Sequence, residues 1–153
     1  MNVGMENKMS ESPLEILLVE DNLNDAELSL YALKKFKIAN SIYHARDGEE
    51  ALSYLFNESL ELGSIHHIPR LILLDLKLPK VDGLEVLRKL KSDPRTQAVP
   101  VVVLTSSREE RDIIESYNLG VNSYIVKPID FEQFTDAVRS VGLYWLLLNQ
   151  SPA

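Results

Sequence analysis

Glu20, Asp21, Asp75, Thr105 and Lys127 stand far apart in the chain, but their side chains could act together. Three carboxylates brought to one place repel and raise one another's pKa unless a cation joins them. A hard divalent cation with oxygen ligands answers that need. Mg²⁺ suits it because it keeps several of its waters, and Mn²⁺ is a reasonable substitute. A metal bridging Asp21 and Asp75 could still hold one oxygen of an incoming phosphoryl group. Asp75 would then be the nucleophile, since carboxylates form acyl phosphates. The phosphoryl charge would be met by the metal, the Lys127 ammonium and the Thr105 hydroxyl, the electrostatic clamp that phosphoryl transfer needs.

For this to work, the fold must gather these residues, and each of them ends an apolar run. Leu71-Ile72-Leu73-Leu74 reads as a strand buried on both faces that stops on Asp75. Leu14 to Val19 stops on Glu20-Asp21, Val101 to Leu104 on Thr105, and Asn122 to Val126 on Lys127-Pro128. A weaker strand covers Ser41 to Ala45, before a turn at Asp47-Gly48. Between the strands lie helical spacings. Asn24 and Glu27 make a capping pair ahead of Ala26, Leu30 and Leu33, a helix to about Phe36. Ala51, Leu52, Leu55 and Phe56 form a second helix, and Leu84, Leu87 and Leu90 a third that ends near Asp93-Pro94. Ser107 with Glu110 opens a fourth that stops near Gly120, and Asp130 with Gln133 opens the last.

Five strands alternating with five helices predict an α/β fold, a parallel sheet with helices on both faces. The expected form is a flavodoxin-like (βα)5 doubly wound sheet, for which 2-1-3-4-5 is a known strand order. In a parallel sheet all the C-terminal strand ends share one edge, so the polar groups would converge there. Taken singly, each has a plainer reading: a solvated acid, a capping Thr, a surface Lys. Their conjunction on one edge is what argues for a site.

The 153 residues suit one domain: a flexible tail over 1–13, the folded unit over 14–148, and a short tail over 149–153. A formal net charge of −7 argues against a general nucleic-acid binder, which needs a basic face. With no cysteine there is no disulfide, thiol chemistry or Cys-based metal site, which fits a cytoplasmic protein. No apolar stretch approaches the roughly 20 residues that span a bilayer, and no signal peptide is evident. All three methionines, Met1, Met5 and Met9, lie in the N-terminal tail, so the start could be internal.

Leu17-Leu18-Val19-Glu20-Asp21, Leu73 to Pro79 with Asp82-Gly83, Val103-Leu104-Thr105-Ser106 and Tyr124-Ile125-Val126-Lys127-Pro128 together resemble the receiver domains of two-component response regulators, over about Leu14 to Val141. The resemblance implies that Asp75 accepts a phosphoryl group from a sensor histidine kinase. It implies Asp21 as a direct Mg²⁺ ligand, Glu20 acting through water, and the Lys77 backbone carbonyl as a further ligand. Thr105 and Tyr124 match the switch pair, Lys127 the phosphate-binding lysine, and Lys127-Pro128 a cis bond. Glu20 replaces the family's commoner Asp. The long segment around His66-His67-Ile68-Pro69 and the C-terminal Val141 to Leu148 look like the stand-alone receivers that serve phytochrome kinases. The two adjacent histidines point apart, and no further ligand joins them at useful spacing, so they read as loop residues.

Phe131, Phe134, Val138, Val141, Trp145 and Leu148 form one helical stripe, the first three expected in the core. Beyond Gly142 the helix is apolar nearly all round, through Leu143, Tyr144, Trp145, Leu146 and Leu147. Such a patch suggests a partner surface, here a homodimer. With the chain ending at Ala153, output is expected through protein contact, with no nucleic acid and no membrane. Competing readings are a phosphorelay intermediate, a degenerate receiver, and a Mg²⁺-dependent aspartyl-phosphate phosphatase. The phosphatase would want a second Asp two residues after its nucleophile on strand one, where Leu23 follows Asp21. A nucleotide-binding module would want a glycine-rich loop there.

Overall fold

The computed structural model describes residues 15–35, 37, 41–56, 68–106, 109, 113–114 and 118–149, with side chains given as far as Val141. Five parallel strands form one sheet: β1 (Glu15–Val19), β2 (Ser41–Ala45), β3 (Leu71–Asp75), β4 (Val101–Thr105) and β5 (Ser123–Val126). Their order is 2-1-3-4-5, the order expected for this class of doubly wound sheet. Four helices are described: α1 (Leu23–Lys35), α2 (Gly48–Phe56), α3 (Gly83–Ser92) and α4 (Phe131–Asn149). The tail over 1–13, Leu14, His66 and His67 lie outside the described residues. So do the Ser107–Glu110 capping pair, most of the expected fourth helix, and the side chains of Leu143, Tyr144, Trp145, Leu146 and Leu147.

The central strands are apolar except at their ends because helices cover both faces of the sheet, and successive residues alternate between them. Leu17, Val19, Ile72, Leu74, Val101 and Val103 pack with Ala51 and Leu55 of α2 and Val86, Leu87 and Leu90 of α3. Ile16, Leu18, Leu71, Leu73, Val102 and Leu104 pack with Ala26, Ala32 and Leu33 of α1 and Phe134, Val138 and Val141 of α4. Edge strands β2 and β5 each bury one residue, Ala45 and Ile125.

Three details differ from the sequence-based expectation. The cap of α1 is Asn22, not Asn24: Asn22 Oδ1 accepts the Asp25 amide at 3.0 Å. Asp47-Gly48 is not a free turn but the start of α2, with Asp47 Oδ1 accepting the Glu50 amide at 2.7 Å. Phe131 is 39% exposed. It opens α4 at the rim of the sheet and meets the Tyr31 ring at 5.7 Å, while Val141 takes a place in the core. At the start of α4, Asp130 does cap, accepting the Glu132 amide at 2.9 Å.

The loop from β3 into α3 is drawn tight against the sheet. The Leu76 amide donates to the Leu104 carbonyl at 3.2 Å and the Gly83 amide to the Leu76 carbonyl at 3.0 Å. A Cβ on Gly83 would stand 2.5 Å from the Asp75 carbonyl oxygen, so only glycine lets α3 begin this close to the end of β3.

Candidate functional site

Parallel pairing brings the ends of the strands to one edge. Val19 lies opposite Ala45 on one side and Leu74 on the other, Asp75 opposite Leu104, and Thr105 opposite Val126. Glu20, Asp75, Thr105 and Lys127, together with Asp21, therefore emerge along one line of backbone.

Asp75 is 4% exposed, so the last residue of a buried strand is a carboxylate set just beneath the surface. Its Oδ1 accepts the Lys77 amide at 3.0 Å and its Oδ2 accepts Lys127 Nζ at 3.0 Å. Both oxygens are thus fixed, one by the loop and one by the end of β5. Ligand oxygens of Glu20, Asp21 and Asp75 all lie within 4.8 Å of one another.

Glu20 is wholly buried, while Asp21 beside it is exposed. Glu20 Oε2 accepts Lys127 Nζ at 2.9 Å and the Asn22 amide at 3.2 Å. Its Oε1 is buried with no hydrogen-bond partner among the described residues. Burial, with the neighbouring Asp75 carboxyl, pushes the Glu20 pKa up to about 8, against the opposing pull of Lys127. An orphaned oxygen, a raised pKa and three clustered carboxylates are what a hard oxygen-ligated cation would relieve, so these residues fit Mg²⁺ or Mn²⁺.

Lys127 Nζ also reaches Asp25 Oδ2 at 3.0 Å. Burial alone would lower the lysine pKa, but contacts with Glu20, Asp25 and Asp75 outweigh it and hold the ammonium above its ordinary range. The Lys127 amide donates to the Thr105 carbonyl at 2.8 Å, and the Lys127–Pro128 bond is cis. Thr105 is fully buried at the end of β4. Tyr124, opposite Val103, is half-buried against the cluster on the α2–α3 face of the sheet. Lys77 is exposed and contributes its amide to Asp75.

Residues 16–139 match the response regulator receiver domain family. The chain belongs to that family. This receiver is 45% identical over 143 residues to a probable methanogenesis regulatory protein, FilR2, of Methanothrix harundinacea, covering 94% of the chain and 90% of the relative. It is 40% identical to the response regulator Rcp1 of Synechocystis, covering 94% and 97%. The bacteriophytochrome response regulator AtBRR shares the fold with a TM-score of 0.71 and 52% identity, over 90% of this chain and 99% of that one. Phosphorylated RcpA, a cyanobacterial phytochrome response regulator, gives 0.71 and 42%, over 92% and 99%. The Mn²⁺-bound form of Rcp1 gives 0.70 and 40%, over 92% and 100%.

Two residues that shape the receiver site, Asp25 and His44, carry no obvious mark in the sequence, and a third is marked without its role. Asp25 reads there as an acid favoured in the first turn of a helix. His44 sits in the weakest strand, and nothing about its spacing shows that its Nε2 lies 2.8 Å from the Glu20 carbonyl oxygen. Gly83 belongs to the Asp82-Gly83 motif, but its close approach to the Asp75 carbonyl oxygen is not legible there.

Proposed function

We propose that this receiver accepts a phosphoryl group on Asp75 from the phosphohistidine of a sensor histidine kinase and signals through protein contacts. The observation that carries this reading is the setting of Asp75: nearly buried, both oxygens held, and within a cluster of three carboxylates. A fixed carboxylate at the exposed edge of a rigid strand has little orientational freedom left to lose on reaction. An Asp75 oxygen forms the bond to phosphorus as the phosphorus–nitrogen bond of the kinase histidine breaks, and the imidazole leaves. Lys127, already on Asp75 Oδ2, stands where it can meet the added negative charge.

Asp21 and Asp75 would hold Mg²⁺ directly, with Glu20 through water and the Lys77 carbonyl completing the protein ligands. When bound, the ion neutralises the carboxylates and offers a site to one phosphoryl oxygen. Mn²⁺ would substitute, in keeping with the Mn²⁺-bound form of Rcp1. Thr105 and Tyr124 serve as the switch pair, the hydroxyl turning to the phosphoryl group and the ring following inward. The protein is a phosphoacceptor that assists its own phosphorylation and dephosphorylation, not an enzyme with a separate substrate.

Incubation with Mg²⁺ and acetyl phosphate, read by intact mass, should give a single base-labile phosphoryl adduct. Absence of the adduct, or its survival in Asp75→Asn, would defeat the assignment.

The finer reading is a stand-alone receiver, its folded unit over residues 14–148, serving a phytochrome-type kinase in the cytoplasm without nucleic-acid or membrane binding. Its support is the likeness to Rcp1, RcpA and AtBRR and the net charge of −7. No described helix is long and apolar enough to cross a membrane. Phosphotransfer from a panel of kinases, timed for the fastest donor, tests the pairing. A homodimer through the far end of α4, around Leu143 to Leu147, completes the proposal; sedimentation showing a monomer at high concentration in both phosphorylation states would remove it.

A further inference from the structure

An ammonium has three N–H bonds, and Lys127 Nζ lies within 3.0 Å of three carboxylates. They are Glu20 Oε2 at 2.9 Å, Asp25 Oδ2 at 3.0 Å and Asp75 Oδ2 at 3.0 Å. Glu20 and Asp75 belong to the three-carboxylate cluster, but Asp25 does not. It approaches from α1, where its amide is fixed by the Asn22 side chain at 3.0 Å. Its side chain is 22% exposed, and that of Lys127 14%. With Asp25 absent, two anchors would remain, and one is the wholly buried Glu20. A long lysine stem has the freedom to follow that pull inward, away from the edge where a phosphoryl group must arrive.

We propose that Asp25 is a positioning residue for phosphoryl acceptance: it holds Lys127 Nζ from the α1 side, so that the ammonium stays beside Asp75 at the mouth of the site. This rests on the reading of Asp75 as phosphoacceptor. Asp25 touches neither the phosphoryl group nor the metal; it acts through Lys127. Its carboxylate oxygen matters as an acceptor, whereas its negative charge, close to an arriving anion, works against the reaction. Acceptor and charge are therefore separable by substitution.

The test compares wild type, Asp25→Ala and Asp25→Asn in the full chain. Phosphorylation of Asp75 by acetyl phosphate should slow roughly tenfold in Asp25→Ala, the scale of loss expected when a catalytic group is misplaced by less than an ångström or so. Asp25→Asn, which keeps an oxygen acceptor, should match or exceed the wild-type rate. Mn²⁺ binding followed by electron paramagnetic resonance should be the same in all three. In metal-free protein, the Lys127 ammonium signal in ¹H–¹⁵N spectra should persist in wild type and Asp25→Asn and broaden away in Asp25→Ala. A wild-type rate in Asp25→Ala, or equal losses in both variants, would overturn the proposal. A wild type that takes no phosphoryl group on Asp75 would instead overturn the assigned function, while the ammonium signals would still report on the Asp25–Lys127 contact.

Discussion

His44 Nε2 lies 2.8 Å from the backbone carbonyl oxygen of Glu20, so a side chain of edge strand β2 holds the main chain of the buried acid at the end of β1. A carbonyl only accepts, so Nε2 must carry the proton. The Glu20 amide is tied to the same strand, donating to the Ala45 carbonyl at 3.0 Å. Strand β2 thus grips Glu20 on both sides of its Cα.

Replacing His44 by Leu removes the donor and should cost about 1–3 kcal/mol, the range for a buried acceptor left unmet. Urea unfolding measures it. His44→Gln, which can still donate, should recover most of the loss; equal loss in both variants would show that only ring packing matters.

The Glu20 pKa gives a pH dependence of definite sign. In the unfolded chain this acid ionises near 4.5, and in the folded, metal-free protein near 8. Between those values the folded state holds a proton that the unfolded state has released. Stability from this group therefore falls as pH rises from about 4.5 to about 8, then levels. Lys127 acts elsewhere: its pKa is raised, so its contribution is complete below the ordinary lysine value of 10.5 and is lost only above it. Unfolding in chelator across this range should show the downward trend, and Glu20→Gln should flatten it. Mg²⁺ should stabilise more above pH 8 than below, since a metal takes the deprotonated carboxylate. A trend that persists in Glu20→Gln would assign it to another group.

Gly83→Ala tests the seating of α3 on the acceptor strand. The new Cβ would meet the Asp75 carbonyl oxygen at 2.5 Å and Leu76 Cα at 2.5 Å, both backbone atoms that cannot swing aside. Overpacking of this kind costs about 1–3 kcal/mol. Because the displaced atoms belong to Asp75 and its neighbour, loss of stability in urea should come with slower acceptance of phosphate. A variant that is destabilised yet phosphorylated at the normal rate would show that the helix shifts and Asp75 stays.

The strands were readable because a run such as Leu71 to Leu74 is buried on both faces and ends abruptly on a charge. The convergence of Glu20, Asp75, Thr105 and Lys127 then follows from parallel pairing alone. What escaped reading are features set by contact instead of period. Asn22 and Asn24 flank the first residue of α1, and only the fold decides that the helix begins at Leu23 and that Asn22 accepts the Asp25 amide. Asp47-Gly48 has turn chemistry, but β2 runs parallel to its neighbour and leads straight into α2. Asp25 and His44 act on Lys127 and Glu20 across the site, through distances that no local pattern encodes.

Asn122 offers a control far from the site, at the opposite end of β4. Its Oδ1 accepts the amide of fully buried Val101 at 2.8 Å, and its own amide donates to the Val101 carbonyl at 2.9 Å. The side chain thus completes the first rung between β4 and the approach to β5. Asn122→Ala leaves the Val101 N–H without its acceptor, which should cost about 1–3 kcal/mol. Asn122→Asp keeps an oxygen there and should cost less. Neither change touches the edge that holds Asp75, so both variants, while folded, should take phosphate from acetyl phosphate at the wild-type rate. Loss of stability without loss of rate is the expected pattern. A slowed rate in folded Asn122→Ala would mean that strain at the start of β4 travels the length of the strand to Thr105.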